Sequence, residues 1–248
     1  MKIMSFALKQ SQNIVVLTGA GISAESGIAT FRAADGLWEN NRIEDVASPD
    51  AFKRNPTVVY QFYNLRRQQL LSQEIMPNMA HIALANYQRQ TKNKLTIITQ
   101  NIDNLHERAG SENVLHMHGE LLKSRCVYSD KIYQCNADLT LEDRCSCCQP
   151  QAALRPHVVW FGEQPLYLPE IELALQQADV FIAIGTSGNV YPAAGFVNLA
   201  KQMGITTVEV NIEPGDNADL FDVSLIGKAS EVVPLLFQRD TVSQQSRN

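Results

Sequence analysis

Apolar residues along this chain gather into short, near-continuous runs that stop at glycine or polar positions. The clearest cover 13–18, 94–99, 179–184 and 206–211, each rich in Val, Ile or Thr. Runs of this length and branching fit strands covered on both faces, as in a parallel sheet. Between them, helical periodicity appears over 80–90, 168–177 and 193–203, the last closed by Gly204. Strands alternating with helices predict an α/β fold with a Rossmann-like, doubly wound parallel sheet.

Two stretches break that rhythm. Residues 33–78 read as helix and loop without a buried strand, and 124–153 are polar and hold every cysteine. The expected organisation is a discontinuous main domain over 1–32, 79–123 and 154–240. The two insertions would form a smaller helical and zinc-ribbon-like domain, and a polar tail over 241–248 would fray.

Composition narrows the function classes. The 248 residues, 45% hydrophobic and 19% charged, suit one large domain carrying a smaller insert. A net charge of −5 supplies no positive footprint for nucleic acid. No apolar stretch approaches the roughly 20 residues needed to span a bilayer. The few residues before the first strand are too short for a signal or transit peptide, so a cytoplasmic protein is expected. Oligomeric state stays open.

Five cysteines cluster between Cys126 and Cys148. In a reducing compartment such clustering points to a metal rather than to disulfides. A structural zinc site would read C-x-x-C, a spacer and C-x-x-C. The second half is present in Cys145-Ser146-Cys147-Cys148, but the first has Ser129 three residues after Cys126. Zinc held by Cys126, Cys145 and Cys148 is the expectation. Cys135 could supply a fourth thiolate and Cys147 could compete with Cys148; the alternative is reduced thiols without metal.

The run at 13–18 leads directly into Gly19-Ala20-Gly21-Ile22-Ser23-Ala24. This is the G-x-G-x-x-A form of the dinucleotide fingerprint. Gly19 would permit the tight turn, Gly21 would let a phosphate approach, and Ala24 would pack closely. The amides of a following helix start would receive the pyrophosphate. A hydride-transfer enzyme should also place an acidic residue about 20 positions on, after a second strand. Here the chain continues instead through a polar loop, Glu25 to Trp38.

That loop carries a resemblance. Gly19 to Ile28 followed by Thr30-Phe31-Arg32 resembles the sirtuin signature. Thr99-Gln100-Asn101-Ile102-Asp103, His118-Gly119, Gly185-Thr186-Ser187 and Asn211-Ile212-Glu213 follow in the family's order. The likeness runs from about residue 12 to residue 236. It is nearest to the bacterial CobB-type, class III members, through Arg155-Pro156-His157-Val158-Val159-Trp160-Phe161-Gly162-Glu163 and the segment from Val190 to Phe196.

The resemblance implies an NAD-dependent protein-lysine deacylase in which NAD is consumed and no hydride moves. The acyl oxygen of a modified lysine attacks the ribose carbon bearing nicotinamide. A base then activates a ribose hydroxyl, and water completes the reaction to free lysine and O-acyl-ADP-ribose. His118 matches the family's base, and an imidazole is suited to that task near neutral pH. Asn101 and Asp103 join it as catalytic residues. Gln100, Asn101, Ile102 and Asp103 would surround nicotinamide and its ribose. Gly19, Ala20, Gly21, Ser23, Ala24, Glu25, Thr30, Phe31, Arg32 and Trp38 would also bind NAD, with Phe31 and Arg32 in the nicotinamide pocket. Gly185, Thr186, Ser187, Asn211, Ile212, Glu213 and Ala229 would hold the adenosine side. A bland alternative for Asn101 or Asp103 is helix capping, and His116 reads as structural.

Asn55 and Pro56 make a good helix start. Along that helix Val59, Tyr63, Arg66 and Leu70 fall on one stripe, at i, i+4, i+7 and i+11. Spacing alone allows a snorkelling arginine or a partner for an acid. The resemblance makes Tyr63-x-x-Arg66 the class III pair for the distal carboxylate of malonyl-, succinyl- or glutaryl-lysine. A guanidinium fork pairs well with a carboxylate, and acetyl-lysine should still fit. The acylated peptide is expected to add as a strand along Val158, Val159, Trp160 and Phe161 and along Gly188, Asn189 and Val190. The nearest rival is a mono-ADP-ribosyltransferase using the same NAD site. A non-catalytic NAD sensor and a dehydrogenase rank behind it.

Overall fold

The computed structural model describes residues 6–9, 12–30, 37–38, 41–91 and 95–238. Its strands are β1 (Ile14–Thr18), β2 (Leu37–Trp38), β3 (Asn41–Arg42), β4 (Leu95–Thr99), β5 (Leu115–His116), β6 (Gly119–Cys126), β7 (Ile132–Gln134), β8 (Leu154–Val158), β9 (Val180–Ile184), β10 (Thr206–Asn211) and β11 (Val223–Ile226). The α-helices are α1 (Ile43–Val46), α2 (Pro49–Arg54), α3 (Pro56–Leu71), α4 (Met79–Gln90), α5 (Leu105–Arg108), α6 (Leu168–Gln176), α7 (Phe196–Gln202) and α8 (Ala229–Leu236).

Six parallel strands form the main sheet in the order β11-β10-β9-β1-β4-β5. The four apolar runs are β1, β4, β9 and β10. Their continuity has a simple cause: alternate side chains point to opposite faces, and both faces are covered. Ile14, Val16, Ile97, Ile182, Val208 and Val210 pack against Leu84 of α4 and Val233 and Leu236 of α8. Val15, Leu17, Ile98, Phe181 and Ala183 pack on the other side against Ile171 of α6 and Val197 of α7. The edge strands β5 and β11 escaped the pattern because they are short and only partly covered.

The inserted stretches pack together beside this sheet. In α2, the Ser48 hydroxyl accepts from Ala51 N–H at 3.0 Å. In α3, Asn55 caps Val58 N–H with Pro56 in the first turn, as the residues predicted. β6 pairs antiparallel with β7 and β8, and runs without interruption across position 124, so this small sheet is continuous with the chain carrying His118. Val59, Tyr63, Leu70, Leu121, Val158 and Trp160 fill the space between α3 and the sheet. Among the described residues no helix is long and apolar enough to cross a membrane.

One expectation is corrected. The glycine loop does not open an α-helix; it continues as two short 3-10 turns, Ala20–Ile22 and Ala24–Ser26. Gly27, at φ 90°, turns the chain into the left-handed region and ends the second.

Candidate functional site

The strand order reverses between β1 and β9, and open α/β sheets bind their ligands outside the carboxyl ends of the strands at such a point. There the glycine loop packs directly on the end of β9. Gly19 N–H donates to the Ile184 carbonyl at 3.0 Å and Gly21 N–H to the Gly185 carbonyl at 2.9 Å. A Cβ on Gly19 would stand 2.6 Å from Gly185 O, and one on Gly21 would stand 2.6 Å from Gly185 Cα. Gly19 itself is extended, with φ −117°. Its glycine is therefore required by close backbone packing, whereas the sequence suggested a special turn conformation.

A buried polar ring ties this loop to the segment after β4. Asn101 Nδ2 donates to the Gly19 carbonyl at 3.1 Å and to Ser23 Oγ at 3.2 Å. Ser23 Oγ donates in turn to Asp103 Oδ2 at 3.0 Å, while Asp103 Oδ1 accepts Leu105 N–H at 3.0 Å. The capping role considered for Asp103 is thus real, on one oxygen. Burial pushes its carboxyl above the usual carboxylate range, partly offset by these donors. Beneath the ring, Thr18 Oγ1 bonds Thr99 Oγ1 at 2.9 Å and lies 3.0 Å from His106 Nε2.

His118 stands immediately before β6. Its Nδ1 lies 3.0 Å from the Gln100 carbonyl. A carbonyl can only accept, so Nδ1 carries the proton and Nε2 is the basic nitrogen. Burial holds the ring's pKa below its ordinary value, against a smaller upward pull from Gln100. Gly119 permits this placement: it sits at φ 82°, and a Cβ there would run into the His157 carbonyl. His116 faces away into its own pair, with Nε2 2.8 Å from Glu107 Oε1 and Nδ1 3.3 Å from the Asn101 carbonyl. Burial lowers its pKa, but Glu107 outweighs this and leaves it raised.

These groups open onto one cleft of about 1030 Å³, at the top of the roughly 300–1,000 Å³ usual for ligand pockets. It is lined by Gly19, Ala20, Gly21, Ser23, Ala24, Glu25 and Thr30 from the glycine loop, and by Gln100, Asn101, Ile102, Asp103 and His118. At one end stand Gly185, Thr186, Ser187, Asn211, Ile212, Glu213 and Ala229. Glu25 braces that end, accepting Ser230 Oγ–H at 2.8 Å and Ser230 N–H at 3.1 Å. Phe31 and Arg32 lie outside the described residues. Trp38 falls in β2, but its side chain lies outside what the structure describes.

The cleft is also lined by Tyr63, Arg66, Val158, Val159, Trp160 and Phe161, and by Asn189 and Val190. Tyr63 is fully buried beside Trp160, whose indole N–H donates to the Tyr63 oxygen at 3.0 Å. The Arg66 guanidinium lies 3.5 Å over the Phe62 ring and donates to the Phe62 carbonyl at 2.8 Å. Leu70 and Leu121 also line the cleft; the sequence placed Leu70 on the Tyr63 and Arg66 stripe and gave no signal for Leu121. Gly188 is the exception, turned from the cleft wall toward Asn217. The strand-addition edge is narrower than expected. Val159, Trp160 and Phe161 already donate their N–H groups to His118 O, Glu163 Oε2 and Ala47 O at 2.9, 2.8 and 3.0 Å. The Val158 and Trp160 carbonyls also already accept, from Arg155 Nη2 and from Glu163 N–H, each at 2.9 Å.

Away from the cleft, the Sγ atoms of Cys126, Cys145, Cys147 and Cys148 all lie within 4.8 Å of one another. Cys126 to Cys148 is 3.6 Å and Cys147 to Cys148 is 3.7 Å. A tetrahedral zinc with Zn–S near 2.3 Å needs sulfur spacings of about 3.8 Å, so these four thiols fit a structural zinc. Cys135 is corrected out of the set. It is buried with Tyr60 and Leu139, and its thiol donates to the Ala137 carbonyl at 3.4 Å. Cys147 is the fourth thiol, joining Cys148 instead of competing with it. Ser129, which broke the first C-x-x-C, lies 3.0 Å from Cys147 Sγ.

Known proteins resemble the chain throughout. The Sir2 family model matches residues 19–192. An NAD-dependent protein deacylase of Salmonella typhimurium is 60% identical over 92% of this chain and 83% of its own. That of Escherichia coli K12 is 58% identical over 94% and 83%. Among solved structures, a Sir2 homologue in complex with NAD superposes with TM-score 0.81 at 39% identity, covering 92% of this chain and 89% of that one. Sir2Af2 bound to a myristoylated histone peptide superposes with TM-score 0.69 at 34% identity, over 92% and 91%. With the glycine loop, the Asn101–Asp103 ring and His118 brought to a single cleft, these matches make the chain a member of the Sir2 family, the sirtuins.

Proposed function

We propose that the chain is an NAD-dependent protein-lysine deacylase that removes acetyl groups and also carboxylate-bearing acyl groups such as succinyl and malonyl. The observation that carries this reading is the joining, in one cleft, of a glycine-loop end, a histidine with a defined basic nitrogen and a Tyr63/Arg66 end. The relatives named as deacylases and the neighbour solved with NAD support it.

NAD, when bound, supplies a ribose carbon bonded to nicotinamide as leaving group. The glycine loop brings bare backbone to one end of the cleft, with Gly21 and Gly185 too closely packed for a side chain to intrude. Asn101, Ser23 and Asp103 are hydrogen-bonded to one another, which positions a polar wall along the cleft. His118 Nε2 accepts the proton of a substrate hydroxyl, and the resulting imidazolium is stabilised by the Gln100 carbonyl at Nδ1. Arg66 pairs with a distal acyl carboxylate, with the Tyr63 hydroxyl beside it. An acylated protein is the second substrate, its lysine entering between the Val158–Phe161 and Asn189–Val190 walls.

Incubation with NAD and acetyl- or succinyl-lysine peptides should release nicotinamide, free lysine and O-acyl-ADP-ribose in equal amounts. ADP-ribosylated protein formed without any acyl requirement would overturn the reading.

A further inference from the structure

At the proposed acyl end, where Trp160 and Glu163 line the cleft, lies a charged assembly. The Arg155 guanidinium is nearly buried and lies 3.2 Å from the centroid of the Trp160 ring. It donates from Nη1 to Glu163 Oε1 at 2.6 Å and from Nη2 to Oε2 at 3.0 Å, a paired fork. Nη2 also donates to the Val158 carbonyl at 2.9 Å. Glu163 Oε2 accepts the Trp160 backbone N–H at 2.8 Å, and Oε1 accepts a second guanidinium, Arg125, at 3.1 Å. Phe52 closes another side of the indole, with ring centroids 5.3 Å apart.

Trp160 is therefore fixed twice, through its backbone by Glu163 and through its ring plane by Arg155. An indole N–H lies in the ring plane, so fixing that plane fixes where the proton points. It points at the Tyr63 oxygen, 3.0 Å away and fully buried. A phenol oxygen that already accepts one hydrogen bond is biased to donate its own proton elsewhere. Burying an ion pair is expensive in desolvation and is weak evidence for stability, which favours a role in geometry. Burial and the fork oppose each other here: burial would raise the Glu163 carboxyl, but its donors outweigh it and hold the pKa below its ordinary value.

We propose that the Arg155–Glu163 ion pair is a specificity-determining positioning pair, which orients Trp160 so that its indole N–H sets the Tyr63 hydroxyl for carboxylate-bearing acyl groups. This rests on the reading of Tyr63 and Arg66 as the carboxylate site. An acetyl group makes no demand on that hydroxyl, so the pair should act on the ratio of the two activities.

The test is a double-mutant cycle read as the succinyl-to-acetyl ratio of kcat/KM. Glu163→Gln should lower that ratio about tenfold, through KM for the succinyl peptide. Arg155→Lys should lower it similarly, because an ammonium lacks the planar fork and the stack. In a Tyr63→Phe background, Glu163→Gln should change the ratio no further. An unchanged ratio in Glu163→Gln, or an equal further drop in the Tyr63→Phe background, overturns the inference. Should Glu163→Gln fail to fold, Arg155→Met/Glu163→Leu removes both charges together and is read the same way. If Tyr63→Phe and Arg66→Met themselves leave the ratio untouched, the carboxylate-site reading falls and takes this inference with it. If they lower it and Glu163→Gln does not, the positioning role alone is wrong.

Discussion

His118 donates its Nδ1–H to the Gln100 carbonyl across 3.0 Å, and that one bond decides which ring nitrogen can act as a base. Burial also keeps the ring neutral below the pH at which a free imidazole would charge. With His118 as the proposed base the neutral form is the active one, so activity should be lost only as pH falls through this lowered value. The acid limb of kcat/KM should lie below about 6.5. A limb above that value would contradict the assignment. His118→Ala should cut kcat by roughly 10²- to 10⁴-fold.

Arg66 and Tyr63 should separate the two acyl classes. Arg66→Met removes the only fork at that end of the cleft that the reading assigns to the carboxylate. Desuccinylation should fall by at least about tenfold more than deacetylation, in line with a charged hydrogen bond of roughly 1.5–3 kcal/mol. Steady-state rates on matched acetyl and succinyl peptides measure this. Equal losses on both substrates would leave Arg66 as a packing residue.

Metal content should distinguish the thiols. Purified protein should carry one zinc, and Cys147→Ala should lose it or hold it far more weakly. Cys135→Ala should keep zinc at the wild-type ratio, because that thiol is packed among Tyr60 and Leu139 instead. Metal analysis alongside thermal melting is sufficient, since loss of a structural zinc removes folding free energy directly. Zinc loss in both variants, or in neither, would refute this ligand set.

Gly21→Ala should damage the nucleotide end without touching any charged group. The new Cβ would stand 2.6 Å from Gly185 Cα, where only backbone is available to move. Overpacking of this kind costs about 1–3 kcal/mol. For a chain of this size each kcal/mol lowers the melting temperature by roughly 2–4 °C. Calorimetric titration should show weakened NAD binding as well. Full NAD affinity in a fully stable Gly21→Ala protein would contradict the close packing described.

Much of this protein was legible in its residues because the relevant physics is local. A strand buried on both faces must be apolar at every position, so β1, β4, β9 and β10 announce themselves. Asn55 and Pro56 carry their helix-starting chemistry with them, and the order of the glycine, Asn101–Asp103 and His118 motifs points to the family. Even the stripe of Val59, Tyr63, Arg66 and Leu70 follows from helical spacing alone.

What the tertiary structure decided depends on partners distant in the chain. Gly21 needs to be glycine because of Gly185, which no local rule can reveal. His118 acquires its tautomer from a carbonyl on another strand's end. In the sequence Cys135 is a possible fourth ligand and Cys147 a competitor of Cys148, but the fold buries Cys135 among apolar side chains and leaves Cys147 beside three thiols. The Arg155–Glu163 fork, likewise, gains its meaning only from the ring it lies against. Periodicity and propensity are written residue by residue, whereas close approach, tautomer and coordination exist only once the chain has closed on itself.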